Sequence, residues 1–159
     1  MRAVELTADM QRVVLEQSLG FVATVTPDGR PNLSPKGTTT VLDAEHLMFC
    51  DIVSPGTVAN LATNPHVEVN VVDPIVRKGY RFKGTATVHR DGPEYDRGLA
   101  VLRSRGSSLG PDRVRSIVVV AVTDAAPLVS PAYDVGATEE QLVERWLRHH
   151  TALHQPPEV

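Results

Sequence analysis

The chain has 159 residues, 42% hydrophobic and 22% charged, with a formal net charge of -3. Those proportions fit one soluble hydrophobic core and exclude the strongly basic field that would draw the protein to nucleic acid. No apolar run approaches membrane-spanning length, and acidic residues stand where a signal peptide would need an apolar stretch. Cys50 is the single cysteine, which excludes an internal disulfide and a cysteine-rich metal site. Its apolar setting predicts an inert buried thiol. A cytoplasmic address is expected, with neither nucleic acid nor membrane as a partner.

Thr7 can cap a helix running to about Leu19, with Leu6, Met10, Val13 and Val14 at helical spacing and Gly20 as the stop. From Phe21 the apolar period becomes two, the mark of a strand. "TPDGRP" reads as a tight turn, with Pro27 and Gly29 in the demanding positions. "PNLSPKGTTTVLD" follows as one strand with an odd centre. Pro35 removes a ladder hydrogen bond there, which predicts an edge, a bulge or an opening in the sheet. "HLMFCDI" is a short buried strand.

"SPGTVANLATNP" is a short helix, with Ser54 at the cap, Pro55 first in the helix and Asn64-Pro65 as its end. "HVEVNVV" and "YRFKGTATVH" alternate as strands, and Gly84 marks a bend or a close approach. "GPEYDRGLAVLRSRG" predicts a helix with Tyr95, Leu99 and Leu102 inward. "RSIVVVAVTDA" predicts a central strand covered on both faces. Thr138 and Gln141 form a capping box for a last helix, about 138–150, whose sticky side holds Leu142, Val143, Trp146, Leu147 and His150. The order is helix, three strands, helix, two strands, helix, strand, helix. Residues 1–159 then form one mainly β domain, an antiparallel barrel with flanking helices.

Two segments carry candidate chemistry. Ser34, Lys36 and Thr38 share one strand face by period two, and Pro35 and Gly37 leave backbone groups free for a ligand. A solvated face with a lysine guarding a sheet edge accounts for the same pattern. The start of the short helix is the second segment, because free N–H groups and the helix dipole attract anions. Ser54 and Thr57 add hydroxyls there and Asn60 lies one turn on, although a plain N-cap explains Ser54 equally well. Lys36 or Arg81 would supply positive charge. Asp51 stands at a strand end, where a turn role and a ligand contact are both open. The histidines are dispersed without metal-ligand spacing, and no serine sits in a nucleophile elbow. No catalytic residue can be assigned, and redox chemistry carried by a cofactor fits better than hydrolysis.

In "GFVATVTPDGRPNLSPKGTTTVLD", "LMFCDIVSPGTVANLATNPHVEVNVVD", "GYRFKGTATVH" and "PLVSPAYDVG", the chain resembles the pyridoxamine 5'-phosphate oxidase-like, FMN-binding split-barrel family. The likeness is greatest to the branch with "SPKG" in its second strand. It implies a split barrel, FMN as cofactor, and a homodimer with two flavin sites in clefts between subunits. The last helix would pack on the barrel or on the partner. By the same resemblance Ser34, Pro35, Lys36, Gly37 and Thr38 run beside the flavin ring. Ser54, Gly56, Thr57 and Asn60 match the phosphate side, and Arg81 a basic strand position near the cleft. Many relatives have lysine or arginine before the "NL" pair, where this chain has Gly56, Thr57, Val58 and Ala59. Phosphate charge then falls to Lys36, Arg81, a neighbouring arginine or the partner subunit. No match to the pyridoxal-phosphate pocket is found. The resemblance implies a flavin-dependent oxidoreductase with a small-molecule substrate or electron donor. The alternatives are a non-catalytic protein binding flavin, F420 or haem, and a structural homodimer without a ligand.

Overall fold

The computed structural model describes residues 3–155. Helix α1 (Ala8–Gln17) starts where expected, with the Thr7 hydroxyl accepting from the Met10 N–H at 3.2 Å, and ends at Ser18 in the left-handed conformation. Strands β1 (Gly20–Val25) and β2 (Pro31–Lys36) form a hairpin whose turn needs Gly29 at φ +81°. Beyond Lys36 the expected single strand breaks. Residues 37–39 turn, and a two-residue strand β3 (Thr40–Val41) leads to β4 (His46–Asp51). Four strands therefore precede the short helix, not three. After α2 (Pro55–Thr63) come β5 (His66–Asp73), β6 (Lys78–His89), α3 (Gly92–Ser104), β7 (Ser116–Val129) and α4 (Glu139–Leu153).

All seven strands join one antiparallel sheet in the order β2-β1-β5-β6-β7-β4-β3. Its two edge strands are neighbours in sequence. Six strand-to-strand steps would hold the edges about 29 Å apart in a flat sheet, but residues 37–39 can span at most about 14 Å between Lys36 and Thr40. The sheet must curl until its edges nearly meet, and β2 and β3 stay unpaired across the split. Pro35 lies on that edge, opposite Phe21, as its missing N–H requires.

The concave face buries Val22, Val69, Phe82, Val118 and Val120, and α1 and α2 close it with Val13, Val14 and Leu61. On the convex side α3 sets Tyr95, Leu99 and Leu102 against Met48, Cys50 and Ile117. A Cβ at Gly98 would stand 2.7 Å from Ile117 Cγ2, so glycine lets α3 reach the sheet. Gly84 sits at a β6–β7 bulge, with no room for a Cβ beside the Ala121 carbonyl, which explains the bend expected there. Strand β7 is covered on both faces only over its first half, and from Thr123 it is partly exposed.

The capping box of α4 is present, but the helix runs on to Leu153. Of its expected sticky side only Leu142 is buried, and Leu147 is 54% exposed. The Arg77 guanidinium stacks 3.4 Å from the Trp146 ring centroid, and Lys78 pairs with Glu139 at 2.6 Å. These contacts hold the first half of α4 on the β5–β6 hairpin.

Asp43 ties the β3–β4 turn to α3. Its carboxylate accepts from the Glu45 N–H at 3.0 Å and Arg97 at 2.7 Å, and meets His46 Nδ1 at 2.7 Å. Burial pushes this carboxyl up, but the Glu45 N–H, His46 and Arg97 outweigh it and bring it from 3.8 down to about 2. A folded value below the unfolded one gives stability that is complete above pH 3.8 and lost as pH falls through about 2. The midpoint of thermal unfolding should fall less steeply across that window in Asp43→Asn than in the parent. Gly98→Ala should cost about 1–3 kcal/mol by overpacking, read as a lower urea midpoint.

Candidate functional site

The break between β2 and β3 brings the two candidate segments together. Ser34 lies opposite Val22 and so points to the concave side, with Lys36 on the same face. Lys36 is only 5% exposed. Its Nζ donates to Ser34 Oγ and to Ser54 Oγ, each at 2.6 Å. Edge strand β2 is thus tied to the first turn of α2. Burial pushes the Lys36 ammonium below its ordinary value, with Asp51 opposing.

The Ser54 N–H donates to Asp51 Oδ1 at 2.8 Å, and Ser54 makes no side-chain cap of α2. Ser54 is the N-cap residue as expected, but its hydroxyl accepts from Lys36 instead of capping the helix. The first N–H groups of α2 therefore receive no acceptor from Ser54. A Cβ at Gly56 or at Gly37 would meet nothing within 4 Å, so both backbone stretches are open to a ligand. Thr57 and Asn60 are buried, and Asn60 Nδ2 donates to Thr24 Oγ1 at 2.9 Å, which fixes α2 against β1.

Thr38 does not share the Ser34–Lys36 stripe, because it lies in the turn. Its Oγ1 accepts from the Cys50 N–H at 2.8 Å, while the Thr39 hydroxyl donates to the Lys36 carbonyl at 2.8 Å. Gly20 is needed beside it, since a Cβ there would meet Thr39 Oγ1 at 2.5 Å. Pro35 faces the other side of the sheet from Lys36. Arg81 lies on that outer side too, paired with Glu68 at 2.9 Å, and is not brought to the Lys36 cluster. Cys50 is buried, and burial pushes its thiol up to about 11, as an inert thiol requires.

Between the 37–40 turn and the end of α3 lies a cavity of about 270 Å³ that sequence reasoning missed. Ser18, Thr39, Thr40, Arg105 and Ser107 line it, together with the turn at Gly37 and Thr38. It has one cation and no carboxylate. Thr40 Oγ1 is buried without a hydrogen-bond partner, and Arg105 forms no ion pair among the described residues. Of the lining groups, Ser18 donates to the Leu15 carbonyl, Thr39 to the Lys36 carbonyl, and Arg105 to the Val41 carbonyl at 3.4 Å. The only sequence signal was the basic, hydroxyl-rich run "RSRGSS", which reads equally as a frayed helix end. Among the described residues no group of three or more His, Cys, Asp or Glu is placed to hold a metal, and no helix is long and apolar enough to cross a membrane.

A curled seven-stranded antiparallel half-barrel with four helices and a polar cleft at its split defines the class, a mainly β split barrel. The family model described as pyridoxamine 5'-phosphate oxidase matches residues 6–127, and the chain belongs to that family. An uncharacterised protein of Methanocaldococcus jannaschii is 32% identical over 130 residues, covering 80% of this chain and 83% of its own. The crystal structure of HupZ from Group A Streptococcus superposes with a TM-score of 0.69 at 27% identity, covering 78% of this chain and 94% of that one. An FMN-binding protein from Syntrophomonas wolfei shares the fold, with a TM-score of 0.60 at 13% identity over 77% of this chain and 86% of its own.

Since Lys36 releases its proton more readily folded than unfolded, stability should rise as pH approaches its ordinary value of 10.5. Lys36→Met should lack that rise, measured as urea midpoints across the alkaline range.

Proposed function

We propose that this chain is an FMN-binding oxidoreductase with its cofactor held between Ser34–Thr38 and Ser54–Asn60, and that two copies share the cleft. The observation that carries this reading is the Lys36 ammonium held at 2.6 Å by hydroxyls from both segments, beside the open start of α2. The donor set fits a phosphate: one ammonium, two hydroxyls and uncapped helix N–H groups. Family membership and an FMN-binding neighbour of the same fold support the same cofactor.

Each residue then has a task. Lys36 and Ser54 would hold the phosphate end, with Gly56 and Thr57 presenting backbone N–H groups. Asn60 keeps α2 in place through Thr24, and the turn at Gly37 and Thr38 would lie along the ring. Asp51 puts a carboxylate beside the single ammonium, so the formal charges of the pair cancel. A dianionic phosphate would draw its remaining counter-charge from the second copy, whose outer sheet face bears Arg81 and Lys83. The bound ring supplies hydride and electron transfer. The cavity at Arg105 would take the anionic group of a small-molecule substrate beside it.

Purified protein given FMN and freed of excess should keep flavin absorption with quenched fluorescence. Lys36→Met should weaken binding about tenfold or more, equivalent to about 1.4 kcal/mol. Retention of F420 in place of FMN, or of neither, would overturn the flavin assignment. Arg105→Ala should leave FMN affinity unchanged and abolish any response of the bound flavin spectrum to inorganic phosphate.

A further inference from the structure

The anion site at the start of α2 is short of positive charge on its own chain. Lys36 has the Asp51 carboxylate as its neighbour, and Arg81 lies on the outer side of the sheet, bound to Glu68. The start of β7 adds a third element to this site. Asp51, the last residue of β4, stands in register with Ser116, the first of β7. Its carboxylate accepts from the Ser54 N–H at 2.8 Å, and its carbonyl accepts from the Arg115 N–H, also at 2.8 Å. Asp51 alone thereby joins the Arg115 backbone to the opening of α2. The Arg115 side chain is exposed and forms no ion pair among the described residues. Arg113 is exposed as well, but its N–H bonds back to the Gly110 carbonyl and not to this segment.

Ser116 marks the same wall from inside the barrel. By alternation it shares the concave side with Val118 and Val120, as Asp51 does with Leu47 and Phe49. Lys36 is on that side too. Ser116 is 1% exposed, and its hydroxyl has no hydrogen-bond partner. Buried hydroxyls are ordinarily satisfied, so the wall beside Asp51 has a polar group that the chain itself leaves unmet. Residues 115 and 116 thus bring a free guanidinium to the outside of Asp51 and an unmet hydroxyl to its inside.

We propose that Arg115 is the phosphate-binding arginine of this site, closing on a phosphate seated at the first N–H groups of α2. The proposal rests on the FMN reading above and deepens it, by naming a charge on this chain for the phosphate end. A guanidinium can grip two phosphate oxygens at once, which suits it to an exposed rim better than a second ammonium. Arg115 brings one positive charge, and a dianion then has one more to draw from the second copy. That charge acts on the phosphate and not on the flavin ring.

The test compares FMN with riboflavin, which has the same ring and no phosphate, by fluorescence titration of the full chain. Arg115→Ala should weaken FMN binding about tenfold or more and leave riboflavin binding unchanged. Arg115→Lys should recover part of the loss, and Arg113→Ala should lose nothing. Because the side chain is exposed, the unfolding midpoint of Arg115→Ala should match that of the parent. A parent that retains no FMN would overturn the flavin reading and this assignment with it. A parent that binds FMN no better than Arg115→Ala does would overturn the assignment alone. Equal losses for FMN and riboflavin would show a change of shape, and equal losses from Arg113→Ala and Arg115→Ala a general surface field. Either result would also overturn the assignment.

Discussion

The three-residue connection from Lys36 to Thr40 is the constraint on which this structure depends. It joins the first and last strands of a seven-stranded sheet. A chain that short cannot bridge the edges of a flat sheet, so the sheet curls and its concave side becomes a closed core. Val22, Val69 and Phe82 lie side by side across three strands by register, and the curl turns their face into the closed core. The seam it leaves cannot close, because Pro35 withholds a donor and residues 37–39 turn away from strand geometry. The candidate site occupies that seam.

Polar groups in the seam are distributed so that few compete for the same partner. Asp51 accepts from the Ser54 N–H, while the Ser54 hydroxyl accepts from Lys36. Thr38 takes the Cys50 N–H, and Thr39 reaches back to the Lys36 carbonyl. Thr40, which lines the Arg105 cavity, is left with a buried hydroxyl that has no partner. Three consecutive threonines thus have three different fates, decided by which side of the turn each one faces. The segment has a structural half, which locks the turn, and a half that is open to a ligand.

Much of the fold was legible in the sequence because its signals are local. The Thr7 and Thr138–Gln141 caps, the Gly29 turn, the alternation of Val67, Val69 and Val71 and the inward face of α3 are all written within a few residues. One misreading was also local in origin. Thr38 was placed on a stripe because period two was carried through a turn with no strong breaker except Gly37. Ser54 is the N-cap residue that the local sequence indicates, but its hydroxyl makes no cap bond, because Lys36, 18 residues away in the chain, donates to it.

The sequence by itself determined an antiparallel mainly β chain, its caps and glycine positions, and two polar segments suited to an anion. Periodicity and capping express backbone geometry over one or two turns, and so need no tertiary context. Tertiary packing alone decided that Lys36 joins the two segments, that Arg81 faces away from them, and that Arg105 and Thr40 line one cavity. Only it showed that α4 outruns the body that buries its first turn. These are contacts between residues far apart in the chain, and they exist because the short link at 37–39 closes the sheet on itself.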